Sequence, residues 1–455
     1  MPIKNLALRA PKTRFLLLLC AMVFSALLMS GCGDMWSSRA TASRAATPKI
    51  PAAAPLASED DANDVAIRFL EDRVRRDPEN FVAHNKLAAY YLQRVRETGS
   101  FDYLDLATRA AKASLDAVPV VRNAGGLSAL TQAEFSSHEF AAARDHAKQL
   151  IELDPGKPYP YGILGDSLLE LGDYEGAATA FQHMQRISGG INDSSETRQA
   201  RQAFLRGDIA GAERHFATAL IVALNYLSPS RETVAWCRWQ LGETAFARGD
   251  YETAERHYAD ALKTFPDYFR ALASMGRVRA ARGDIPGAIE QYEHAVNRLP
   301  DPGFVAALGD LYKLAGRERE ASAQYALVEQ IGHLNTVNGA LYNRQLALFY
   351  ADHDMKAEEA YRNAAKEYEV RRDIYGADAL AWTALKTGKI NEAQAAIKEA
   401  LKLGTRDAKL LYHAGMIARS AGDEAFARDY LKRALALNPQ FDPLQSMIAR
   451  KSLDN

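Results

Sequence analysis

The sequence has few cysteines and no excess of charge of either sign. Three cysteines among 455 residues exclude a disulfide-rich scaffold. Basic and acidic residues number 56 and 57, so the chain lacks the basic excess that a dedicated nucleic-acid binder directs at phosphates. We therefore expect no nucleic-acid partner. Hydrophobic residues make up 48% of the chain, which is too much for a disordered protein and enough to build a core.

The sequence also lacks the short motifs that carry enzyme chemistry. There is no Gly-rich phosphate-binding loop, no H-E-x-x-H, no C-x-x-C and no G-x-S-x-G. Ten histidines are scattered along the chain without the spacing of metal ligands. We expect no catalytic residue, no metal and no cofactor. An enzyme, or a subunit that activates one, is the less favoured alternative.

The N-terminus has the layout of a secretory signal. Four basic residues and no acidic ones precede residue 15, and residues 15–29 form an apolar run of fifteen. A membrane-spanning helix needs about 20 apolar residues, so this run is short for a span. A basic flank, a short apolar stretch and then small residues are typical of a signal peptide.

The end of this signal, Leu-Met-Ser-Gly-Cys over residues 28–32, resembles the lipobox of bacterial lipoproteins. The resemblance implies that Cys32 is lipidated, that residues 1–31 are removed and that the new N-terminus is acylated. The alternatives are an uncleaved anchor or an ordinary signal. Members of this group that carry Asp after the cysteine stay at the inner membrane. Gly33 at that place implies the periplasmic face of the outer membrane.

Removal of residues 1–31 changes the composition of the mature chain. It takes away four positive charges, so the net charge falls from −1 to −5. Cys20 leaves with the signal and Cys32 carries lipid, which leaves Cys237 without an intramolecular disulfide partner. Residues 37–60 contain 17 Ala, Ser, Thr or Pro among 24. We therefore interpret residues 32–60 as the lipidated cysteine followed by a flexible tether.

The rest of the chain repeats itself. Short Gly-Asp segments recur, for example at Gly249 and Gly283, which lie 34 residues apart. Each is followed by an alanine, a bulky residue four places later and usually a second alanine three places after that. Glycine allows a sharp reversal between helices, and small residues let helices approach closely. The pattern predicts a series of antiparallel helix pairs.

This pattern resembles the tetratricopeptide repeat (TPR), whose Leu-Gly pair is matched at residues 164–165, 241–242 and 308–309. The resemblance implies an all-α fold, a right-handed α-solenoid of about ten helix-turn-helix repeats over residues 81–441. Terminal repeats lack a neighbour, so we expect capping helices over residues 61–80 and 442–455. Such solenoids bind proteins, and we expect envelope proteins or peptides as partners.

In the TPR family, positions 2, 5, 9 and 12 of each first helix line the concave surface. Applied to the fifth repeat and its successors, this rule selects a mixed aromatic and charged patch of candidate partner-binding residues. Position 9 alternates in sign from repeat to repeat, which predicts a ladder of ion pairs through Asp166, Arg201, Glu243, Arg277 and Asp310. The candidate residues are Trp236, Trp239, Glu243, Phe246, Arg270, Arg277 and Asp310. The alternative for the aromatic residues is packing between repeats, with Trp239 over the small Ala273 of the next repeat.

These features favour a non-enzymatic, membrane-anchored scaffold or adaptor. The layout is also that of lipoproteins in pilus assembly and exopolysaccharide export, which is the main alternative. A glycan-binding module would need exposed aromatic residues along the groove. The candidates for that role are Trp236, Phe246, Tyr375, Trp382 and Tyr412.

Overall fold

The computed structural model describes residues 47–337 and 344–454, so the predicted signal at 1–31 and the predicted lipidation site Cys32 lie outside the described residues. The described residues contain 22 α-helices, one short 3-10 helix at Val120–Arg122 and no strand. The expected all-α solenoid is confirmed. Within the described ranges, no helix combines the length and the apolar character needed to cross a bilayer.

The helices follow one another as ten antiparallel pairs between a leading helix α1 and a final helix α22. The first half comprises α1 Asp60–Arg76, α2 Phe81–Thr98, α3 Phe101–Ala117, α4 Ala124–Ser136, α5 Phe140–Leu153, α6 Pro158–Glu170, α7 Tyr174–Ile187, α8 Asp193–Leu205, α9 Ile209–Leu224, α10 Arg231–Ala247 and α11 Tyr251–Thr264. The second half comprises α12 Phe269–Ala281, α13 Ile285–Arg298, α14 Pro302–Leu314, α15 Glu318–Val337, α16 Arg344–Asp352, α17 Ala357–Tyr368, α18 Ile374–Lys386, α19 Ile390–Ala400, α20 Ala408–Ser420, α21 Glu424–Leu437 and α22 Gln445–Asp454.

The Gly-Asp segments reverse the chain between the two helices of a pair. Gly249 has φ +77°, in the left-handed region that favours glycine, and closes α10. Asp250 then caps α11, because its carboxylate accepts the backbone N–H of Thr253 at 3.1 Å. The same pair of roles recurs at Gly283 and Asp284. One dipeptide therefore ends one helix and starts the next.

The Leu-Gly pair provides space for the bulky residue of the second helix. A Cβ on Gly242 would overlap the ring of Tyr258, and a Cβ on Gly165 would overlap the ring of Phe181. Both rings are at most 2% exposed. The alanines that follow the Gly-Asp turns are fully buried, so each helix pair packs at short range.

The solenoid winds tightly enough for its later repeats to contact its middle repeats. The Tyr174 hydroxyl accepts the backbone N–H of Ile374 at 2.8 Å, across 200 residues of sequence. The Asn438 side-chain amide donates to the carbonyl oxygen of Phe246 at 2.7 Å. A repeat pattern predicts contacts within a repeat and between adjacent repeats. It does not predict these contacts between repeats that are far apart in the sequence.

A cluster of buried charges lies at this contact between turns. Glu170 binds Arg201 and Arg371, and Arg371 also lies 3.4 Å from Glu367. Each of these four side chains is at most 6% exposed. Arg344 joins the cluster through Glu367 at 3.0 Å. Opposite charges thus surround one another at the place where the third and fourth repeats meet the eighth and ninth.

The described part of the predicted tether is not a free coil. Residues 47–59 form no helix, yet Ile50 and Leu56 pack against the buried apolar residues of α8, α9 and α10. The expectation of a flexible tether up to residue 60 therefore does not hold for residues 47–59. A leading helix occupies Asp60–Arg76 and a final helix Gln445–Asp454, at the two places where the sequence suggests caps.

Candidate peptide-binding groove

The first helices of repeats one to three enclose an open groove of about 720 Å³. The groove lies between α2, α4 and α6, with contributions from the end of α5 and the loop that follows it. Its lining is mainly apolar and aromatic. The lining residues are Asn85, Ala89, Tyr90, Leu92, Gln93, Arg96, Ala124, Gly125, Ser128, Ala129, Gln132, Leu150, Asp154, Lys157, Tyr159 and Pro160.

Small residues on two helices keep this groove open. Ala89 on α2 and Gly125 and Ala129 on α4 present little or no side chain to the space between the helices. Tyr90 and Tyr159 stand at its sides, and each is half-buried. The Tyr159 hydroxyl donates to the carbonyl oxygen of Ser128 at 3.1 Å, which fixes the ring at one wall. The lining of the groove thus combines two aromatic rings with several small residues.

Charged side chains lie at the edges of the groove. Arg96 lies 3.7 Å from Glu232 at the start of α10, and the side chain of Glu232 is 7% exposed. Burial lowers the pKa of Arg96 and raises the pKa of Glu232, against the attraction between them. Lys157 is exposed at the opposite edge, 3.9 Å from Asp154. The Nε atom of Arg96 is buried without a hydrogen-bond partner.

The candidate residues chosen from the sequence lie further along the solenoid, on α10, α12 and α14. Trp239 is 4% exposed, and its indole N–H donates to the Ser274 hydroxyl at 2.9 Å. Trp236 is half-buried, with its ring 6.5 Å from that of Trp239 and 5.9 Å from that of Phe216. The two tryptophans therefore pack between repeats, and part of Trp236 remains exposed.

Glu243 is the centre of a hydrogen-bond network within this patch. Its carboxylate accepts bonds from Tyr258 at 2.7 Å, Ser274 at 2.8 Å and Arg277 at 2.5 and 2.7 Å. The Arg277 guanidinium lies 4.1 Å from the ring centre of Phe246, which is 5% exposed. The carboxylate of Glu243 is thus fully engaged within the chain, whereas the Nε atom of Arg277 is buried without a hydrogen-bond partner.

Arg270 and Asp310 are also engaged within the chain. The Arg270 guanidinium lies 5.5 Å from the ring centre of Trp239 and 4.9 Å from that of Phe269. Asp310 accepts a bond from the Tyr325 hydroxyl at 2.7 Å and lies 2.8 Å from His353. Despite burial, the Asp310 carboxylate raises the pKa of His353.

The predicted charge ladder exists in one of its four steps. Glu243 and Arg277 form the expected pair. The other steps are wrong, because nearer partners are present. Asp166 pairs with Arg198 at 2.6 Å and Arg201 pairs with Glu170, both one helical turn from the expected positions. Asp310 binds His353 of a later repeat instead of Arg277.

The aromatic residues considered for glycan binding are mostly buried. Phe246 is 5% exposed, and Trp382 and Tyr412 are each 2% exposed. Tyr375 and Trp236 are half-buried. Three of the five therefore have no ring face available for a sugar, and the expectation that they are exposed is wrong.

The rule that positions 2, 5, 9 and 12 of each first helix line the concave surface also selects several residues of the open groove. In the repeat that begins at residue 81, positions 5, 9 and 12 are Asn85, Ala89 and Leu92, and all three line the groove. In the repeat that begins at residue 158, position 2 is Tyr159, which also lines it. Tryptophan and arginine at the same positions favour the fifth and sixth repeats instead. The useful signal was a run of small residues beside tyrosines.

Reactive groups are scarce in the part of the chain that the structure describes. It contains no cluster of His, Cys, Asp or Glu residues suited to a metal ion. Cys237 is fully buried, and burial raises the pKa of its thiol. A thiol in this setting is inert toward solvent reagents.

Two family models match the chain, and both describe the tetratricopeptide repeat. One matches residues 193–267, and the other matches residues 129–190, 240–302 and 379–440. Together these ranges span slightly more than half of the chain. No curated protein matches the sequence.

Solved structures with a similar course of the chain share little sequence with it. They include the APC/C hetero-tetramer Cut9–Hcn1, with 14% identity, a TM-score of 0.33 and coverage of 87% of this chain and 94% of that one. The human IFIT1 dimer with PPP-AAAA has 15% identity, a TM-score of 0.43 and coverage of 84% and 95%. A tetratricopeptide repeat protein from Parabacteroides merdae has 17% identity, a TM-score of 0.31 and coverage of 58% and 97%. With its ten helix pairs, its Gly-Asp turns and these family matches, the chain belongs to the tetratricopeptide repeat family.

Proposed function

We propose that the protein is a non-enzymatic scaffold that holds an extended segment of a partner protein in the groove of repeats one to three. Repeats of this family imply protein partners, and the matched models describe a repeat family rather than a catalytic one. The observation that carries the proposal is the groove itself. Its volume of about 720 Å³ lies within the range of ligand sites, and its lining is largely apolar with a few polar groups.

The lining indicates the character of the bound segment. Tyr90, Tyr159 and Leu92 favour apolar or aromatic side chains, since such contacts bury area at little cost in side-chain entropy. Arg96 and Lys157 outnumber Asp154 among the charged lining residues, which favours a carboxylate on the partner. The proposed ligand is a short extended peptide with an aromatic or aliphatic residue near an acidic one.

The place of action that we propose is the cell envelope. The lipobox-like sequence at residues 28–32 supports a lipid anchor at Cys32, and Gly33 supports the periplasmic face of the outer membrane. Partners would then be other envelope proteins or peptides. A role within an exopolysaccharide export or pilus assembly machine is one form that such a scaffold can take.

A photo-crosslinker at Tyr90 tests the groove in cells. We expect a crosslinked protein partner from this position and none from a crosslinker at Phe426, which is 59% exposed on α21. Ala89→Trp fills the groove from an exposed position and should abolish the crosslink. Thr179→Trp, at an exposed site on α7, is the matched control and should leave it intact. A crosslink that survives Ala89→Trp contradicts the proposal.

Processing of the full chain tests the anchor separately. Globomycin blocks the peptidase that matures lipoproteins, so treated cells should accumulate the unprocessed chain. Cys32→Ser should give the same result without the inhibitor. Normal processing in both cases contradicts lipidation at Cys32 and leaves the groove proposal to be judged on its own experiment.

A further inference from the structure

Residues 47–59, which we call the strap, follow the body of the protein with a regular rhythm. Before residue 50, Pro48 is the one partly buried residue of the strap. From residue 50 onward, Ile50, Ala53, Leu56 and Glu59 are partly buried and the six residues between them are exposed. The spacing is three residues. A polyproline II helix has three residues per turn and therefore presents every third side chain to a surface.

The strap lies along α10 in the opposite direction to the helix. The Arg231 guanidinium, at the start of α10, donates to the Ser58 hydroxyl at 3.2 Å. Seven residues further along α10, Arg238 donates to the carbonyl oxygen of Pro51 at 3.4 Å. Leu56 lies between these points and Ile50 lies just before them, and both pack against the apolar residues of α8, α9 and α10.

Arg238 supports a binding role for this surface. Its side chain is 1% exposed, yet its Nε and Nη1 atoms have no hydrogen-bond partner. The nearest carboxylate, that of Asp260, is 3.6 Å away. Burial lowers the pKa of this guanidinium. The Pro51 carbonyl is the one hydrogen-bond acceptor that the described residues offer it. A buried cation pointed at the backbone of an extended segment is suited to hold carbonyl oxygens.

The backbone of the strap is itself free to be recognised. In the portion of the chain that the structure covers, none of residues 47–58 donates a hydrogen bond to another backbone group. Two prolines, Pro51 and Pro55, lie on the exposed side and restrict the conformations of the undocked segment. Docking such a segment costs less conformational entropy than docking a glycine-rich one.

We propose that the surface formed by α9 and α10 is a binding site for extended, proline-containing segments with an apolar side chain at every third position, and that the strap occupies it in cis. The surface of α9 and α10 is separate from the lining of the groove of repeats one to three, although the strap reaches that lining at its end, where Gln93 donates to Glu59 at 3.2 Å. The proposal does not depend on the function proposed for the groove. A partner with a segment of this type has to displace the strap, so the docked strap lowers the apparent affinity of the site for that partner.

Trypsin cleavage after Lys49 on the full chain reports docking directly. A protease needs an extended stretch on both sides of the bond, so a docked strap slows the release of a product that begins at Ile50. Leu56→Asp puts a charge on the buried face and should speed this cleavage about tenfold. Ala57→Asp adds the same charge on the exposed face and should leave the rate unchanged. Equal rates in all three proteins overturn the proposal.

Binding in trans tests the recognition itself. A fluorescent peptide with the sequence of residues 47–59 should bind the Leu56→Asp chain, whose own strap is undocked. It should bind the original chain and Ala57→Asp at least about tenfold more weakly, because their site is occupied in cis at high effective concentration. Absence of binding to Leu56→Asp, or equal binding to all three proteins, also overturns the proposal.

Discussion

At the scale of single residues, the contact of the third and fourth repeats with the eighth and ninth depends on charged side chains that are buried away from water. Burial opposes ionisation of Glu170, yet Arg371 and Arg201 lower the pKa of its carboxyl to about 2. Arg344 and Asp373 continue the network through a bond of 2.7 Å. In such a cluster the loss of one member costs more than its own bonds, because the remaining charges stay buried and unpaired.

Arg371→Ala should therefore destabilise the protein strongly. We expect a loss of about 3–5 kcal/mol in the free energy of unfolding, because Glu170 and Glu367 lose a shared partner in a dry environment. Chemical denaturation checks this value. Arg433→Ala removes an exposed pair with Asp429 and should change the same quantity by less than about 1 kcal/mol. Similar losses in the two variants would contradict the structural role of the cluster.

His138 makes the same contact sensitive to acid. Burial, together with Arg371 and Arg344, lowers the pKa of His138 to about 3. The unfolded chain binds a proton at this residue below about pH 6.5 and the folded chain does not, so stability falls as the pH drops from about 6.5 toward 3. Between pH 7.5 and 5.5 the original protein should lose about 1 kcal/mol more than His138→Asn. Urea titrations at the two pH values measure this difference.

Asparagine suits the left-handed backbone of His138, whose φ is +62°, so the variant isolates the titration from backbone strain. Equal losses in the two proteins would mean that His138 is protonated in the folded state.

At the scale of the elements, local chemistry explains most of what the sequence predicts correctly. The helix pairs, their Gly-Asp turns and the alanine positions follow from short-range rules that act within one repeat. The partners of Asp166, Arg201 and Asp310 do not follow from these rules. Each of these side chains pairs with the opposite charge that is nearest in three dimensions. That partner can lie one helical turn away from the position that the repeat pattern indicates. The open groove was missed for a similar reason, since its defining feature is the space left by Ala89 and Gly125.

Gly172 and Gly422 have nearly the same backbone conformation but different surroundings. Substitution of each glycine therefore separates the cost of backbone strain from the cost of a steric clash. Gly172 has φ +83° and Gly422 has φ +82°. A Cβ on Gly172 would collide with the carbonyl oxygen of Arg372, whereas a Cβ on Gly422 would meet no atom within 4 Å. Gly422→Ala should cost about 1 kcal/mol for the left-handed backbone, and Gly172→Ala about 1–3 kcal/mol more.

Denaturation midpoints of the two variants measure this difference. If Gly172→Ala were no worse than Gly422→Ala, the approach of the Arg372 backbone to the third repeat would be looser than the structure shows.

At the scale of the whole molecule, the solenoid departs from the behaviour expected of a linear array. In a plain repeat protein each unit contacts its neighbours alone, so a local change is felt locally. Here Tyr251 of the fifth repeat donates to Asn438, which directly follows α21 of the tenth repeat, at 2.6 Å. The third and fifth repeats therefore have partners both next to them in sequence and roughly 200 residues away.

Asn438→Ala should reveal this coupling over distance. It removes the bonds to Phe246 and Tyr251, so amide hydrogen exchange should increase in the turn between α10 and α11 as well as around residue 438. Asp429→Ala, at an exposed site on α21, should leave that turn unchanged. Hydrogen exchange read by mass spectrometry distinguishes the two. An effect confined to the C-terminal repeats would contradict the contact between turns.

The meeting of Glu170 with Arg371 also fixes the number of repeats. Linear repeat arrays usually tolerate the gain or loss of a unit, because every junction is alike. In this chain, the insertion or deletion of one helix pair between α8 and α16 would rotate the C-terminal repeats by a whole step and place new residues opposite Gly172 and Tyr174. The contact between the third and fourth repeats and the eighth and ninth therefore requires a fixed number of repeats between them. Additional repeats at either end of the array would leave this number unchanged.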